Sequence, residues 1–415
     1  MLSSLGFHTM TLTRSLTYYD CERVLLDFKT YSEKTPLKMY RKKEADYVLY
    51  TPSEDYLPVD VKIYYDGRNQ GIQWHIYRND YFYGLIYIIE ARINPKFLAG
   101  IHDYLTAATY SDMNIAITNF ILESKRISPL LGKFNDYKIK RIDYCVNISL
   151  DDFKISCSPE QIMNLLKRSD VPPHYKEWTV YDDTAHRKKS KPESFYLFSN
   201  SVNINYYSKY LQLLNLSNQN MENGYNPVDQ ETLDKSKNVY RFEVQCKYFK
   251  TYSLSKKLED TKATSPNISM QFFNPLTCIE IISSYYEKVI GRGDWYTLPE
   301  ATQKIKSKNF NSQKEKRLID VLQYINQCRS LAKAKASLQG YELVAFKRTL
   351  KELSSFNINP VTIPKEWGIK HIPNLLHCYF NKMLEEAHNP DLWGTDLCTS
   401  HGYSEYVKKY GRSPI

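Results

Sequence analysis

Short runs of alternating apolar and polar side chains fill the early part of the chain. "VDVKIYY" and "IQWHIYR" flank "DGRNQG", a Gly-containing turn of the kind that closes a hairpin. "YGLIYIIEARI" reads as a third strand and stops at Asn94-Pro95. After Ser111 the period changes, and "DMNIAITNFILESKRI" carries its apolar residues at helical spacing. A second strand-and-helix set starts near residue 138 with the strand "KIKRIDYCVNISL". Ser158-Pro159-Glu160 then supplies an N-cap and a first-turn proline for the helix "PEQIMNLLKRS". "SFYLFSN" and "VNINYYSKY" read as strands joined by a short polar turn, "NQNMENGYNP" as a polar loop, and "NVYRFEVQCKYF" as a further strand. From about residue 270 the spacing is helical, at 275–290, 311–336, 342–354 and 373–387, with breaks at "GRGDW" (291–295) and "NINPVTIP" (357–364). The chain shows no repeat of the length that builds solenoids. These patterns predict an α+β fold: an antiparallel β-sheet with helices packed on one face, plus a helical C-terminal domain. The expected divisions are 1–135 (β-hairpins and a helix), 136–270 (a sheet) and 271–415 (helices suited to DNA binding).

Parity sorts the strands of the second set into two faces. In "KRIDYCVNIS" the apolar set is Ile142, Tyr144, Val146 and Ile148, opposite Arg141, Asp143, Cys145 and Asn147. In "VYRFEVQCKYF" Tyr240, Phe242, Val244 and Cys246 oppose Arg241, Glu243, Gln245 and Lys247. In "VNINYYSK" Val202, Ile204 and Tyr206 oppose Asn203, Asn205 and Tyr207. A wet polar face is ordinary in antiparallel sheets. The residue types suggest more. If the three strands are neighbours, two carboxylates (Asp143, Glu243), an amide (Asn147) and a phenol (Tyr207) converge. Hard cations such as Mg²⁺ or Mn²⁺ prefer that kind of oxygen donor. A phenol beside such a cation would attack a phosphodiester and form a phosphotyrosine. Tyrosine is a weak nucleophile because its pKa lies near 10, so it needs a neighbouring cation or base. Lys209 lies on the same side as Tyr207 if the strand continues. Parity makes Tyr207 the nucleophile, with the neighbouring Tyr206 as the alternative should the register be off by one.

Composition weighs on both sides of this picture. The chain holds 36 Tyr in 415 residues, so an adjacent Tyr pair says little by itself. A net charge of +10 suits a polyanionic partner, nucleic acid first. The basic residues gather at Arg41-Lys42-Lys43, in "HRKKSK" with Arg187, Lys188 and Lys189, and at Lys304, Lys306, Lys308, Lys314, Lys316 and Arg317. Solvated surface loops would account for each cluster equally well. Eight cysteines contain no CxxC pair, which argues against a zinc ribbon or a disulfide framework and for a reduced, cytoplasmic setting. No basic leader with an apolar core opens the sequence, and no run is long and apolar enough for a membrane span.

The order of "KRIDYCVNI", a Tyr-x-Lys strand "INYYSKY" and "YRFEVQCK" resembles the replication initiation factor family. Its members start rolling-circle replication of plasmids or act as relaxases of conjugative elements. The match falls on Arg141, Ile142 and Asp143, on Tyr207 and Lys209, and on Arg241, Phe242, Glu243 and Val244, within about residues 137–250. The resemblance implies a DNA nicking-closing enzyme (an endonuclease or relaxase) of a mobile element. In it Tyr207 would join the 5′ phosphate and leave a 3′ hydroxyl, while the acidic residues hold a divalent metal. It implies double-stranded origin DNA as partner, nicked to release a single strand, with a host helicase and a homodimer. It also implies DNA contacts by Arg141, Arg241 and the residue at Asn205. Two positions depart from the family pattern: Asn147 stands where a second Asp is usual, and Asn205 where Arg is usual. The "FSNS" turn lacks the family's Gly- and basic-residue hairpin.

Other nickases bind metal through a His-hydrophobic-His element, and none of the nine histidines here are two residues apart. His75 in "QWHIYR" therefore reads as structural, while His174 and His186 lie in polar loops where they could touch DNA. No GxxxxGK[ST] loop marks an ATPase motor. "DWYTLPEATQKIKSKNF" and "KEKRLIDVLQYINQ" read as helices, either a helix-turn-helix for origin recognition or a packing domain. The rival to the enzyme is a sequence-specific DNA-binding protein that keeps the fold without cleavage. A phage or plasmid interaction protein is a third reading.

Overall fold

A computed structural model describes residues 4–393 apart from 53–56, 59, 66–70, 80–85, 154, 156, 183–186, 223 and 261–271. The "DGRNQG" turn up to residue 70, and His186, lie outside the described residues. The strands, in chain order, are β1 Leu5–Leu16, β2 Leu37–Lys43, β3 Asp46–Leu49, β4 Asp60–Tyr65, β5 Ile72–Arg78, β6 Tyr87–Ile93 and β7 Lys138–Ser149. They continue with β8 Lys176–Glu177, β9 Thr179–Asp182, β10 Arg187–Ser190, β11 Ser194–Phe198, β12 Val202–Ser208, β13 Val239–Cys246, β14 Trp295–Tyr296 and β15 His371–Ile372. Eleven of them form one large antiparallel sheet in the order β3-β2-β4-β5-β6-β1-β7-β13-β12-β11-β8. The expected α+β class, with helices following in the C-terminal region, is what the chain adopts. Among the described residues no helix is long and apolar enough to cross a membrane.

The described residues fall into two compact units. Within the described residues, the first draws on 4–145, 245–278 and 386–393, and the second on 146–244 and 279–385.

In the first unit, β4 and β5 pair antiparallel with Asp60 opposite Tyr77, and β1 joins β6 with Leu12 opposite Ala91. Alternation does what parity expects. Val61, Ile63, Trp74, Ile76, Ile89 and Ala91 are at most 1% exposed, and Trp74 packs on Phe28 and Phe120. Those rings come from the helices Tyr18–Ser32 and Tyr110–Ile127. Thr17 caps the first helix by accepting the Asp20 N–H, and Cys21, Val24, Leu25 and Phe28 give it a buried stripe at three- and four-residue spacing. Neither this helix nor β1 as a strand stood out in the sequence. The helix after Ser111 did, and a reciprocal Thr109–Asp112 capping box fixes its start.

In the second unit, β11 and β12 form the expected hairpin, with Phe195 opposite Tyr206 and Ser194 opposite Tyr207. The helix Pro159–Lys167 begins at the expected Ser158 cap. The segment after Ser208 departs from expectation. It is a helix, Lys209–Glu222, that takes in the first half of the supposed polar loop and buries Leu213 and Ser217.

The helices Leu298–Lys306, Ser312–Cys328 and Gly340–Ser355 enclose Ala301, Ile305, Leu318, Leu322 and Leu353, all 0% exposed. The two breaks in helical spacing meet each other. Asp294 bridges to Ile358 in parallel, and its carboxylate accepts the Asn374 N–H (2.7 Å) and the Asn357 amide (2.8 Å). Gly293 makes this approach feasible, since a Cβ there would lie 2.2 Å from the Ile358 carbonyl carbon. Gly293→Ala must therefore push two backbones apart. It is expected to cost about 2–4 kcal/mol, read as a lower denaturant midpoint at unchanged slope.

Candidate metal and nucleophile site

The polar faces that parity picked out are not wet. Asp143 is 0% exposed, Arg241 and Glu243 2%, Lys209 3%, and Asn147 and Tyr207 4%. Charges at such depth persist only when paired and hydrogen-bonded. In the first unit Arg141 grips Asp143 with both prongs, Nε to Oδ1 and Nη2 to Oδ2, each at 2.7 Å. The two residues are two apart on one strand and so share a face. In the second unit Arg241 Nε donates to Asn147 Oδ1 at 2.7 Å. Both arginines that the family resemblance assigns to DNA thus hold buried polar partners of the protein itself.

Tyr207 OH donates to Glu243 Oε2 at 3.5 Å, the long limit for such a bond. Lys209 reaches Tyr207 by a route the sequence did not suggest. The strand ends at Ser208, whose hydroxyl accepts the Leu211 N–H (3.3 Å), so Lys209 is the first residue of a helix. From there Lys209 Nζ lies 5.6 Å from the Tyr207 ring centroid and donates to Gln212 Oε1 (3.0 Å).

Tyr206 faces the other way. It is 1% exposed, 4.9 Å from the Phe242 ring and 5.9 Å from the Tyr286 ring. Burial pushes its hydroxyl well above the ordinary tyrosine range, and that hydroxyl has no hydrogen-bond partner among the described residues. A phenol so placed stays protonated at neutral pH. Tyr206→Phe is expected to leave stability unchanged or slightly raised, and any covalent chemistry within about twofold of wild type. Matched thermal melts and adduct gels check both.

One histidine nitrogen (His8) and one carboxylate oxygen each from Asp143 and Glu243 lie within 4.8 Å of one another, a group that could hold a metal ion. The sequence did not single out His8. Its signal was a polar ring sharing parity with Met10 and Leu12, positions that are 1% and 0% exposed. A search for paired histidines passes over it, because its companions are carboxylates distant in sequence. The donor set of one imidazole and two carboxylates is chemically sound for a divalent ion, and suits Mn²⁺ better than Mg²⁺, which favours oxygen alone.

The remaining candidates fall outside this group. Asn205 pairs across the hairpin with Tyr196. Arg187, Lys188 and Lys189 lie on β10, which pairs antiparallel with β9. His75 Nε2 meets Asp60 Oδ1 at 2.8 Å, in keeping with a structural role. His174 sits at positive φ (70°) in a turn. In the C-terminal basic cluster Lys304 donates to Tyr296 OH (2.9 Å), and Lys314 and Arg317 pair with Glu352. Lys306, Lys308 and Lys316 are exposed.

No family model and no curated protein matches the sequence. Among solved structures the chain is similar to one described as a rolling circle replication initiator protein from Geobacillus stearothermophilus, at 10% identity and a TM-score of 0.30. The alignment covers 70% of this chain and 87% of that one. At that level the likeness carries no argument, and the residues themselves must carry the function.

Proposed function

We propose that this protein is a metal-dependent, strand-specific DNA nicking-closing enzyme that initiates replication or transfer of a mobile element. One observation carries the reading: Tyr207 OH touches Glu243, and Glu243 belongs with His8 and Asp143 to a metal-competent trio. His8, Asp143 and Glu243 would hold Mn²⁺ or Mg²⁺, and a bound divalent ion polarises a phosphate oxygen and offsets the charge that builds there. Tyr207 Oη forms a bond to phosphorus while the bond from phosphorus to the 3′ oxygen breaks. The phenolic proton passes to Glu243, and the departing 3′ oxygen takes a proton from water. The products are a 5′-phosphotyrosine and a free 3′ hydroxyl. The ammonium of Lys209 beside the ring favours the phenolate. Asp143 is oriented by its two bonds to Arg141, which fixes one donor before any ion arrives.

On this reading the substrate is double-stranded origin DNA from which a single strand is released. A host helicase unwinds from the nick, a second copy of the chain is a natural partner, and the setting is the cytoplasm. The exposed lysines near the helices Leu298–Lys306 and Ser312–Cys328 would steer duplex DNA.

The depth of Tyr207, 4% exposed, favours a second reading in which the protein binds its site and does not cut. Incubation with supercoiled DNA of its own element and Mn²⁺ or Mg²⁺, run on a denaturing gel without protease, separates the two. A nicked circle with protein covalently attached at the 5′ end supports the nickase. Tight binding with no adduct under either metal supports the binder.

A further inference from the structure

The first unit carries a second polar sheet face, remote in sequence from the residues above. On β2, β4, β5 and β6 one alternate set of apolar residues is buried, and the other set forms a checkerboard of tyrosines and cations. Lys38 lies opposite Tyr64 and Tyr40 opposite Lys62. Lys42 lies opposite Tyr47 and Lys62 opposite His75. The Tyr40 and Tyr64 rings are stacked 4.9 Å apart at 9°, Lys62 Nζ lies 3.7 Å above the Tyr47 ring, and His75 lies 4.9 Å from Tyr77. Lys38, Lys42, Gln73 and Arg92 are exposed, and Tyr40, Lys62, Tyr64, His75 and Tyr77 are half-buried.

Among the described residues of these strands two carboxylates sit on this face, and both are occupied. Asp60 accepts Tyr47 OH (2.9 Å) and meets His75 Nε2 (2.8 Å), while Glu90 accepts Tyr77 OH (2.5 Å) and Lys140. The outward charge is therefore positive, with Lys38, Lys42, Lys62 and Arg92 spread among flat rings. Farther along, Tyr77, Lys138, Lys140 and Tyr248 line one recess, and Tyr248 stacks on Tyr252. The helix Tyr248–Asp260 adds Phe249, 65% exposed, beside Tyr248.

Cross-strand pairing alone would tolerate such neighbours, but a solvated sheet face has no need of so many rings among so few acids. Every base has a face to stack and every nucleotide a phosphate. Aromatic platforms interleaved with cations are how proteins hold a single strand without reading its sequence. A duplex hides its bases and offers phosphates alone, so it would use the cations and leave the rings idle. We infer that this face of β2, β4, β5 and β6 binds single-stranded DNA. That the polymer is single-stranded nucleic acid stands on this face alone; that it is DNA rests on the nickase reading.

The test uses the full chain in EDTA, so that nicking plays no part, and measures anisotropy of labelled oligo(dT), oligo(rU) and a random duplex of one length. Wild type is expected to bind oligo(dT) at least about tenfold more tightly than the duplex. Tyr40→Ala with Tyr64→Ala is expected to weaken oligo(dT) binding about tenfold or more and duplex binding less than twofold. Lys38→Glu with Arg92→Glu, which changes two exposed side chains, is expected to weaken oligo(dT) severalfold and flatten its salt dependence. This second pair decides the matter if the tyrosine variant fails to fold. Unchanged oligo(dT) affinity in the folded variants, or a preference for duplex, overturns the proposal, and tighter binding of oligo(rU) overturns the assignment to DNA. The same measurement on Tyr207→Phe is expected to match wild type, which keeps this face separate from the fate of the nickase reading.

Discussion

Tyr207→Phe is expected to abolish the covalent protein–DNA adduct, lowering its yield by about three orders of magnitude or more, while DNA affinity stays within about threefold. The substitution removes one oxygen from a ring that is 4% exposed and keeps every packing contact the ring makes. The lost bond to Glu243 is long, 3.5 Å, so stability changes little. An adduct surviving in Tyr207→Phe would reject this residue as nucleophile. If the adduct then vanished in Tyr206→Phe, the reactive face of β12 would be the opposite one, against the packing of Tyr206 on Phe242 and Tyr286.

The second large effect is expected at Glu243→Gln. This substitution keeps the shape and a hydrogen-bond acceptor for Tyr207 but removes one of the two carboxylates beside His8. It deletes a negative ligand and the proton acceptor together, so adduct formation is expected to fall about a hundredfold or more. Mn²⁺ affinity, titrated without DNA, is expected to fall at least tenfold, a readout that does not depend on catalysis. Unaltered Mn²⁺ binding in Glu243→Gln would remove the trio as a metal site. Unaltered binding together with lost adduct would leave Glu243 as the proton acceptor alone.

The strands that carry these residues were legible because parity is a strict rule: Ile142, Tyr144, Val146 and Ile148 are all 0% exposed, as their alternation requires. The helices after residue 270 were legible for the same reason at a longer period. Three things were not. The burial of Asp143, Arg241 and Glu243 was hidden because a polar residue opposite an apolar one reads as wet, and only tertiary neighbours reveal that it is paired and covered. The helix start at Lys209 was hidden because "YYSKY" continues the strand alternation, while the Ser208 hydroxyl that ends it acts through one local bond. His8 was hidden because a metal trio assembled from three strands has no spacing to read. The open tyrosine face lay in plain alternation in "LKMYRKK" and "VDVKIYY", but a chain with 36 Tyr blunts that signal.

Synthesis order adds a constraint of its own. The start of β1 is fastened by Glu386, which accepts the backbone N–H groups of Ser4 and Leu5 at 3.0 Å each, across 382 and 381 residues of chain. A ribosome adding 5–20 residues per second would need roughly 20 to 80 s between making Leu5 and making Glu386. Throughout that interval β1, the strand bearing His8, lacks its final anchor. A nascent chain arrested before residue 386 is thus expected to hold Phe7 by its two backbone bonds to Ala108 while Ser4 and Leu5 still lack their acceptor, so a strand made first has its start fastened only after residue 386 has been made.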